Sequence, residues 1–344
     1  MVSRTEGITG FVKNPSFFFE LSGEHPEMAM QEALSCIKMA AGSVVGHVHG
    51  PGYLVAPLPA HLLPWIAQRI ALTHRIGRFM GWLEREDGLE GIDASCLPEG
   101  SFSVRAKRYE KARPDIDSRR LTRTLGGHLS LGRQVDLEDP DIEVRAFISD
   151  RIGIHHSLFH IDRHSLEERK VAERPFFSPI SLHPRYARAL INMVEVGDGQ
   201  TLLDPFCGTG GILLEAASMG IRALASDIDP DMIEGTERNM RHFGLELSGQ
   251  AVTDVAEIGS HFPNTDAIVT DPPYGRSAST RGENISALYV RALEAAKACL
   301  KPGGRMGIVV PIILEPTEGL HLEHLFHQKV HGSLSRHYHI FRRC

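Results

Sequence analysis

The spacing of apolar and polar positions is most regular in the second half of the chain. From about residue 184 onward, short apolar runs alternate with amphipathic stretches. Alternation of strands with helices is typical of a mostly parallel, doubly wound α/β sheet. The pattern predicts helices at about 184–194, 211–219, 230–243 and 285–300, strands at 201–204, 222–226, near 250, at 266–270 and 305–310, and strand character from 331 to 344.

The front half has a different pattern, in which strands are adjacent to each other as well as to helices. Strands are predicted at 16–21, 43–48, 53–55 and about 76–84, and helices at 28–39 and about 60–70. This β-α-β-β-α-β order predicts a ferredoxin-like domain over residues 1–85. A second small α/β domain is predicted over 86–165, with an alternating strand at 101–109 and a helix at 118–131. A charged segment that closes in prolines, 166–180, is predicted to be the linker to a domain at 181–344.

Composition places the chain among ordinary globular proteins. Of its 344 residues, 42% are hydrophobic and 23% are charged. No run approaches the roughly 18 apolar residues of a membrane span, and the first residues lack a signal-peptide core, so we expect a cytoplasmic protein. Five cysteines lie far apart and the 19 histidines have no carboxylates or cysteines at ligand spacing, so we expect neither a disulfide framework nor a metal site.

The net charge of −6 disfavours a nucleic-acid partner, but the charge is unevenly distributed. Residues 105–123 contain eight basic and three acidic side chains. Basic groups on the strand at 101–109 and on the following helix could form one phosphate-binding face, although a solvated surface is an equal alternative. The candidate phosphate-binding residues are Arg105, Lys107, Arg108, Arg119, Arg120 and Arg123.

The apolar run 267–270 is followed directly by Asp271-Pro272-Pro273-Tyr274-Gly275. The lone pair of a nucleobase amine is delocalised into the ring, so methylation needs both N–H bonds held while the nitrogen becomes tetrahedral. Asp271 supplies one acceptor and a carbonyl of Pro272 or Pro273 supplies the other, because prolines stiffen the loop and donate no hydrogen bond. Tyr274 offers an aromatic face on which a flipped-out base can stack. Taken alone, the motif could equally be a turn that ends a strand.

A second candidate site begins with Asp204 and continues through Gly208 and Gly210, in the turn between the strand at 201–204 and its helix. Open α/β sheets bind ligands at such turns. Asp227 ends the next strand, where an acid suits a ribose hydroxyl pair. An acid at the glycine-rich turn would repel phosphate and attract an ammonium, which favours S-adenosylmethionine over a dinucleotide.

Asp254 follows the third strand and could accept a hydrogen bond from the adenine amine, with a simple turn cap as the alternative. Both sites are predicted at carboxyl ends of strands on one sheet edge, which favours an active site over a simple turn at Asp271. The predicted cofactor-binding residues are Asp204, Phe206, Cys207, Gly208, Gly210, Asp227, Ile228, Asp254 and Asp271.

The catalytic half resembles Rossmann-fold S-adenosylmethionine-dependent amino-methyltransferases with an Asp-Pro-Pro-Tyr motif, which act on RNA or DNA amines. Four collinear segments are similar to the archaeal tRNA guanosine-10 N2-methyltransferase family. They are Glu-Leu-Ser-Gly-Glu-His-Pro at 20–26, Phe-Ser-Val-Arg at 102–105, Arg-Pro-Phe-Phe-Ser-Pro at 174–179 and Val-His-Gly-Ser-Leu-Ser-Arg at 330–336.

The resemblance implies an RNA-binding THUMP domain at 86–165, a tRNA lying across both halves, and a cofactor pocket lined by residues 176–184. It implies methyl transfer to the N2 amine of a guanosine without a metal, with Asp271, Pro272, Pro273 and Tyr274 as catalytic residues. Several relatives need a small zinc-binding activator protein. The alternatives are another tRNA guanosine, an adenine or cytosine amine in DNA, and a non-catalytic RNA-binding scaffold.

Overall fold

The computed structural model describes residues 14–130, 132–178, 181–274, 284–331 and 334–344. The chain forms two compact units. The N-terminal unit contains the described residues up to Glu20 together with Ser43–Pro64 and Arg75–Phe159. The C-terminal unit contains Leu21–Gly42, Trp65–His74 and His160–Cys344. The chain therefore passes from one unit to the other several times before residue 160.

The first sheet has seven strands within the described residues, in the order β2-β3-β1-β4-β7-β6-β5. The predicted β-α-β-β-α-β order is present from β1 to β4. The sheet continues beyond it because β4 neighbours β7. The elements are β1 Ser16–Leu21, α1 Pro26–Ala41, β2 Val48–Gly50, β3 Tyr53–Pro57, α2 Leu63–Arg69, β4 Thr73–Leu83, β5 Phe102–Arg108, α3 Ser118–Ser130, β6 Ile142–Ile148 and β7 Ile152–His160.

The prediction of a strand at 43–48 was wrong in its position. Residues 43–47 are not a strand, and Val45 is 74% exposed. β2 starts at Val48 and pairs antiparallel with β3 across the turn at Pro51 and Gly52. Gly46 has φ +70°, a left-handed conformation that interrupts an extended strand, so pairing with β3 begins only after it.

The side of the first sheet next to α3 is covered by one apolar helix face. Leu121, Leu125 and Leu129 recur every four residues and are fully buried. They belong to one core with Val104 of β5 and Val144 of β6. Burial of this stripe holds α3 beside β5, which places the arginines of the opposite helix face outward.

The second sheet also has seven strands within the described residues, in the order β10-β9-β8-β11-β12-β14-β13. β10, β9, β8, β11 and β12 are parallel, and β14 is antiparallel to β12. The elements are α4 His164–Glu167, α5 Pro184–Met193, β8 Thr201–Asp204, α6 Gly211–Ser218, β9 Arg222–Asp227, α7 Pro230–His242, β10 Gly249–Val252, α8 Ile258–His261, β11 Thr265–Thr270, α9 Ile285–Cys299, β12 Leu300–Val310, β13 Leu320–His331 and β14 Leu334–Arg343. This is the expected doubly wound fold, and strand order reverses between β8 and β11, where such sheets bind ligands.

The single strand expected from 331 to 344 is the second arm of a hairpin. β13 precedes it and pairs antiparallel with β14 from Leu320↔Arg343 to His331↔Leu334. The first arm is an edge strand rich in histidine and charged residues, with Leu325 37% exposed. An edge strand with polar residues on both faces lacks the clean alternation from which strands are predicted.

Three further observations bear on compartment and metal binding. No helix among the described residues is long and apolar enough to span a bilayer. The same residues contain no group of three histidine, cysteine or carboxylate side chains placed to hold a metal ion. All five cysteines are free thiols.

Candidate active site

The motif Asp271-Pro272-Pro273-Tyr274, predicted to be catalytic and called the catalytic motif below, begins where β11 ends. Ile268, Val269 and Thr270 are fully buried in the centre of the sheet, and Asp271 is the first residue beyond them. The hydroxyl of Tyr274 donates a hydrogen bond to Asp271 Oδ1. The described part of the motif ends at Tyr274, so Gly275 lies outside the described residues.

Asp271 has the electrostatics of a carboxylate that works near neutral pH. Burial raises the pKa of Asp271 to about 6, while the Tyr274 hydrogen bond and the charge of Arg336 lower it. Burial and the nearby Asp271 carboxylate raise the pKa of Tyr274, which therefore stays a neutral hydrogen-bond donor. Asp271 is thus mostly ionised at neutral pH and available as an acceptor.

The two proline carbonyls of the motif differ in their surroundings. Tyr289 is a fully buried residue of α9, and its hydroxyl donates a hydrogen bond of 2.8 Å to the main-chain oxygen of Pro273. One acceptor position of that oxygen is therefore already used inside the protein. Pro272 is thus the better candidate for the carbonyl that faces a substrate amine.

Asp204 ends β8 and lies beside the catalytic motif. Its Oδ1 accepts a hydrogen bond of 2.7 Å from the Thr270 hydroxyl and one of 3.2 Å from the Phe206 N–H. Burial, with a smaller effect of the neighbouring Asp271 and Asp227 carboxylates, raises the pKa of Asp204 to about 7, although the hydrogen bonds from Thr270 and Phe206 oppose the change. A buried acid surrounded by other acids favours a cationic ligand group.

The turn after Asp204 requires glycine at two positions. Gly208 has φ +51° and Gly210 has φ +77°. A Cβ atom on Gly210 would lie 2.8 Å from Thr236 Cγ2 of α7, closer than side-chain atoms pack. The turn therefore lets α6 begin tightly against α7, and Cys207 N–H donates to Ser226 O at 2.9 Å to tie the turn to β9.

Asp227 at the end of β9 also contacts this turn. Its Oδ2 accepts a hydrogen bond of 3.0 Å from Gly208 N–H, and its Oδ1 accepts one of 3.1 Å from Asp229 N–H. Ile228 N–H is a third main-chain donor to this carboxylate, so its orientation is fixed by the backbone around it. An acid held at the end of this strand suits two vicinal hydroxyls. The next residue, Ile228, is 38% exposed and gives the site an apolar surface.

Asp254, the expected adenine acceptor, is already engaged. Its Oδ1 accepts hydrogen bonds from Ala256 N–H at 2.9 Å and from Arg291. Although burial opposes the change, these contacts lower the pKa of Asp254. Asp254 thus caps the short helical turn that follows β10, which is the alternative predicted for it. Binding of the adenine amine by its second carboxylate oxygen stays a prediction.

A cavity of about 120 Å³ joins several predicted cofactor residues. It is lined by Asp204, Phe206, Cys207, Gly208 and Asp271 among others. Residues 178, 181 and 182 of the segment implied to line the pocket also do so, whereas 179 and 180 lie outside the described residues. The predicted cofactor residues that do not line the cavity are Gly210, Asp227, Ile228 and Asp254, although Asp227 is joined to the turn by its hydrogen bond with Gly208. A carboxylate for an ammonium, a turn cleared by glycine and an acid beside that turn for a ribose fit S-adenosylmethionine.

Sequence reasoning missed three residues that contact these motifs. Tyr289 and Arg336 contact the catalytic motif from α9 and β14. Arg174, only 3% exposed, donates to Thr209 Oγ1 at 3.4 Å below the glycine-rich turn. Arg174 and Arg336 lie in segments that resemble the family, and this resemblance could have identified them as site residues. Tyr289 lies on a helix whose sequence carries no motif.

The predicted basic face is only partly available. Arg108 donates to main-chain oxygens of Ala112 and Ile116 and to Ser118, so it stabilises the loop before α3. Lys107 forms an ion pair with the buried Glu20 at 3.5 Å. The side chains that remain exposed in the structure are Arg105, Arg119, Arg120 and Arg123, of which Arg105 donates to Leu137 O and Arg120 pairs with Glu86.

Comparisons with known proteins agree with this geometry. The family model described as UPF0020, RMKL-like methyltransferase domain, matches residues 172–321. The chain is 36% identical to a tRNA (guanine(10)-N2)-dimethyltransferase of Methanothermobacter thermautotrophicus, over 92% of this chain and 96% of that protein. It is 32% identical to the protein of that name from Pyrococcus abyssi, over 94% and 98% of the two chains. The fold is similar to the crystal structure of TrmN from Thermus thermophilus, with a TM-score of 0.55, 24% identity and coverage of 96% and 100%.

Proposed function

Since the chain belongs to the family of archaeal tRNA (guanine(10)-N2)-dimethyltransferases, we propose that it methylates the N2 amine of guanosine 10 in tRNA, once or twice. The observation that carries this proposal is the position of Asp271. It directly follows the central strand β11, lines the cavity that Asp204 also lines, and is followed by a proline carbonyl on a stiff loop. Carboxylate, carbonyl and cofactor cavity together supply what methylation of an amine needs.

Asp271 and Pro272 hold the two N–H bonds of the amine. Asp271 accepts one hydrogen bond and takes or relays the proton that the nitrogen loses, and the Pro272 carbonyl accepts the other. Tyr274 presents its ring to the guanine, which must leave its stack at a cost of a few kcal/mol. The reaction is an in-line displacement, so the protein contributes mainly by positioning the amine.

The cofactor is held by residues of the turn after β8 and of the end of β9. S-adenosylmethionine supplies an electrophilic methyl group when it is bound. Asp204 pairs with its ammonium, Asp227 accepts from its ribose hydroxyls, and Ile228 packs against its adenine. Phe206, Cys207, Gly208 and Gly210 shape the turn, and the free oxygen of Asp254 accepts from the adenine amine.

The N-terminal unit is the proposed RNA-binding part, with a THUMP domain over 86–165. Its exposed arginines Arg105, Arg119, Arg120 and Arg123 contact phosphates, and a tRNA substrate would place the protein in the cytoplasm. The domain limits at 85, 165 and 180 are proposed on the same basis. Lys107 and Arg108 act indirectly, through the buried Glu20 and the loop before α3.

The test is mass spectrometry of nucleosides from one unmodified tRNA transcript after incubation with the purified chain and S-adenosylmethionine. We expect N2-methylguanosine or its dimethyl form, mapped by nuclease digestion to position 10. Asp271→Asn should abolish the product, whereas the exposed control Glu246→Gln should not change it. Product in Asp271→Asn at the wild-type rate would contradict the catalytic role of Asp271.

The same assay separates the alternatives. Methylated adenine or cytosine in a parallel duplex-DNA reaction, with tRNA unmodified, would refute the RNA substrate. Activity of the chain alone would show that no small zinc-binding activator protein is required. Loss of tRNA product together with no binding of S-adenosylmethionine in calorimetry would support the non-catalytic scaffold.

A further inference from the structure

Strand β14 brings a buried arginine to the catalytic motif. Because β14 is antiparallel to β12, its first residues lie beside the carboxyl end of β12, with His337 opposite Val310. That end of the sheet is the edge at which Asp271 follows β11. Arg336 is therefore delivered to the catalytic edge by a strand that runs opposite to the others.

The guanidinium of Arg336 lies over the Tyr274 ring, with its central carbon 5.9 Å from the ring centroid. A cation over an aromatic face at this distance is attracted by the electrons of the ring. The arginine is 8% exposed, and its Nε atom has no hydrogen-bond partner among the described residues. A buried cation in this position costs desolvation, which its attraction to the ring and to the nearby carboxylate offsets.

We propose that Arg336 is a positioning residue for methyl transfer, which fixes Tyr274 from one face and supplies a positive charge near the Asp271 carboxylate. In this proposal the guanine base stacks on the opposite face of the ring. This inference rests on the proposed function, because the base and the need for an ionised Asp271 come from it. Arg336 itself does not touch the amine.

The charged and titratable groups around Asp271 are consistent with this role. Tyr274 of the same loop, Tyr289 of α9 and Tyr338 of β14 are neutral phenols, each of whose pKa is raised by burial and by Asp271. Asp204 after β8 is a second acid. Among these described neighbours of Asp271, Arg336 is the positively charged group. Tyr274 and Asp271 raise the pKa of Arg336, although burial opposes the change.

The test compares Arg336→Gln and Arg336→Lys with the wild type in single-turnover methylation of the tRNA transcript across pH 5–9, with an excess of enzyme. In Arg336→Gln we expect a maximal rate lowered about tenfold or more and an acidic limb shifted to higher pH. Arg336→Lys should restore the position of the limb, because it keeps the charge, but only part of the rate, because it lacks the planar group. Binding of S-adenosylhomocysteine should change less than about threefold in either variant.

Arg342 provides a matched control. It lies on β14 with the same side-chain parity as Arg336 but at the other end of the strand, opposite Arg305. Its side chain is 53% exposed. Arg342→Gln should keep the wild-type rate and pH profile. A loss of rate in Arg336→Gln but not in Arg342→Gln would then show an effect on the active site and not a general weakening of β14.

A second readout needs no substrate. In protein with ¹³C-labelled aspartate carboxyls, the Asp271 resonance is the one missing from Asp271→Asn, and its titration should move to higher pH in Arg336→Gln. An unchanged Asp271 titration and an unchanged methylation rate in Arg336→Gln would overturn the proposal. Equal losses of rate in Arg336→Gln and Arg336→Lys, with no shift of the acidic limb of the pH profile, would also overturn it. Absence of product from the wild type would instead refute the proposed function, and the titration would still decide the role of Arg336.

Discussion

The Tyr289 hydroxyl donates to the Pro273 main-chain oxygen at 2.8 Å, so helix α9 is tied directly to the catalytic loop. Tyr289 is fully buried against the same core as Ile268 of β11. The contact distinguishes the two prolines, since it uses the carbonyl of Pro273, and it therefore supports the proposal that the Pro272 carbonyl accepts from the substrate amine. It also makes the position of the loop dependent on the packing of a helix that carries no recognisable motif.

Replacing Tyr289 with phenylalanine should slow methyl transfer without weakening cofactor binding. The ring would keep its packing, but the Pro273 carbonyl would lose its donor, and the loop would lose a buried hydrogen bond of about 1 kcal/mol. We expect a fall of about three- to tenfold in the single-turnover rate, and little change in the Kd for S-adenosylhomocysteine measured by calorimetry.

The control for Tyr289→Phe is Tyr186→Phe. The Tyr186 hydroxyl donates to Glu24 and not to the 271–274 motif. This variant also loses one tyrosine hydrogen bond but should keep the wild-type rate. A wild-type rate in Tyr289→Phe would mean that the contact does not position the loop.

Replacing Asp204 with asparagine should stabilise the ligand-free protein at high pH and weaken cofactor binding. The pKa of Asp204 is raised from 3.8 to about 7 by burial, so the folded protein binds a proton that the unfolded chain has lost. Stability therefore falls as pH rises from about 4 to about 7, by up to about 4 kcal/mol for this carboxyl. Asparagine does not ionise and can still accept from Thr270 and Phe206. Urea unfolding at pH 5 and pH 8 should show a gain that is larger at pH 8.

Asp266 is the matched control because its pKa is shifted in the opposite direction. Although burial opposes the change, Lys301 and the N–H and hydroxyl of Thr201 lower the pKa of Asp266. Asp266→Asn should therefore lose stability at pH 8 and keep cofactor binding. Unchanged affinity for S-adenosylmethionine in Asp204→Asn would contradict the pairing of Asp204 with the ammonium.

The sequence predicts the parts of the site that depend on local pattern. Asp204, Asp227 and Asp271 each follow an apolar strand of a parallel sheet, and geometry then requires them to share one edge. Arg336 and Tyr289 could not be placed in this way. Their contacts depend on the insertion of β14 between β12 and β13 and on the rotation of α9, which are set by tertiary packing rather than by a local pattern.

Exposure also decides which predicted basic residues are available to an RNA. A count of charges treats Arg108 and Arg119 alike. In the structure, however, the Arg108 guanidinium donates its hydrogen bonds to main-chain oxygens, whereas the Arg119 side chain is exposed. The double variant Arg119→Glu/Arg123→Glu should therefore weaken tRNA binding in filter assays and reduce the salt dependence of the affinity by about two counter-ions. Arg108→Ala should instead lower the melting temperature. Equal tRNA affinity of the double variant and the wild type would exclude this helix from the RNA-binding face.

The glycine-rich turn after β8 should not tolerate a side chain at Gly210. Alanine there would need φ near +77° and would place Cβ 2.8 Å from Thr236 Cγ2. We therefore expect a loss of about 1–3 kcal/mol in the free energy of unfolding and at least tenfold weaker binding of S-adenosylhomocysteine.

Gly127 is the control, since it lies in α3 with no atom within 4 Å of the added Cβ. Gly127→Ala should stabilise the protein by about 0.5–1 kcal/mol, because alanine is the better helix former. Urea unfolding and calorimetry measure both effects, and wild-type affinity in Gly210→Ala would show that α6 and α7 can separate without disturbing the cofactor site.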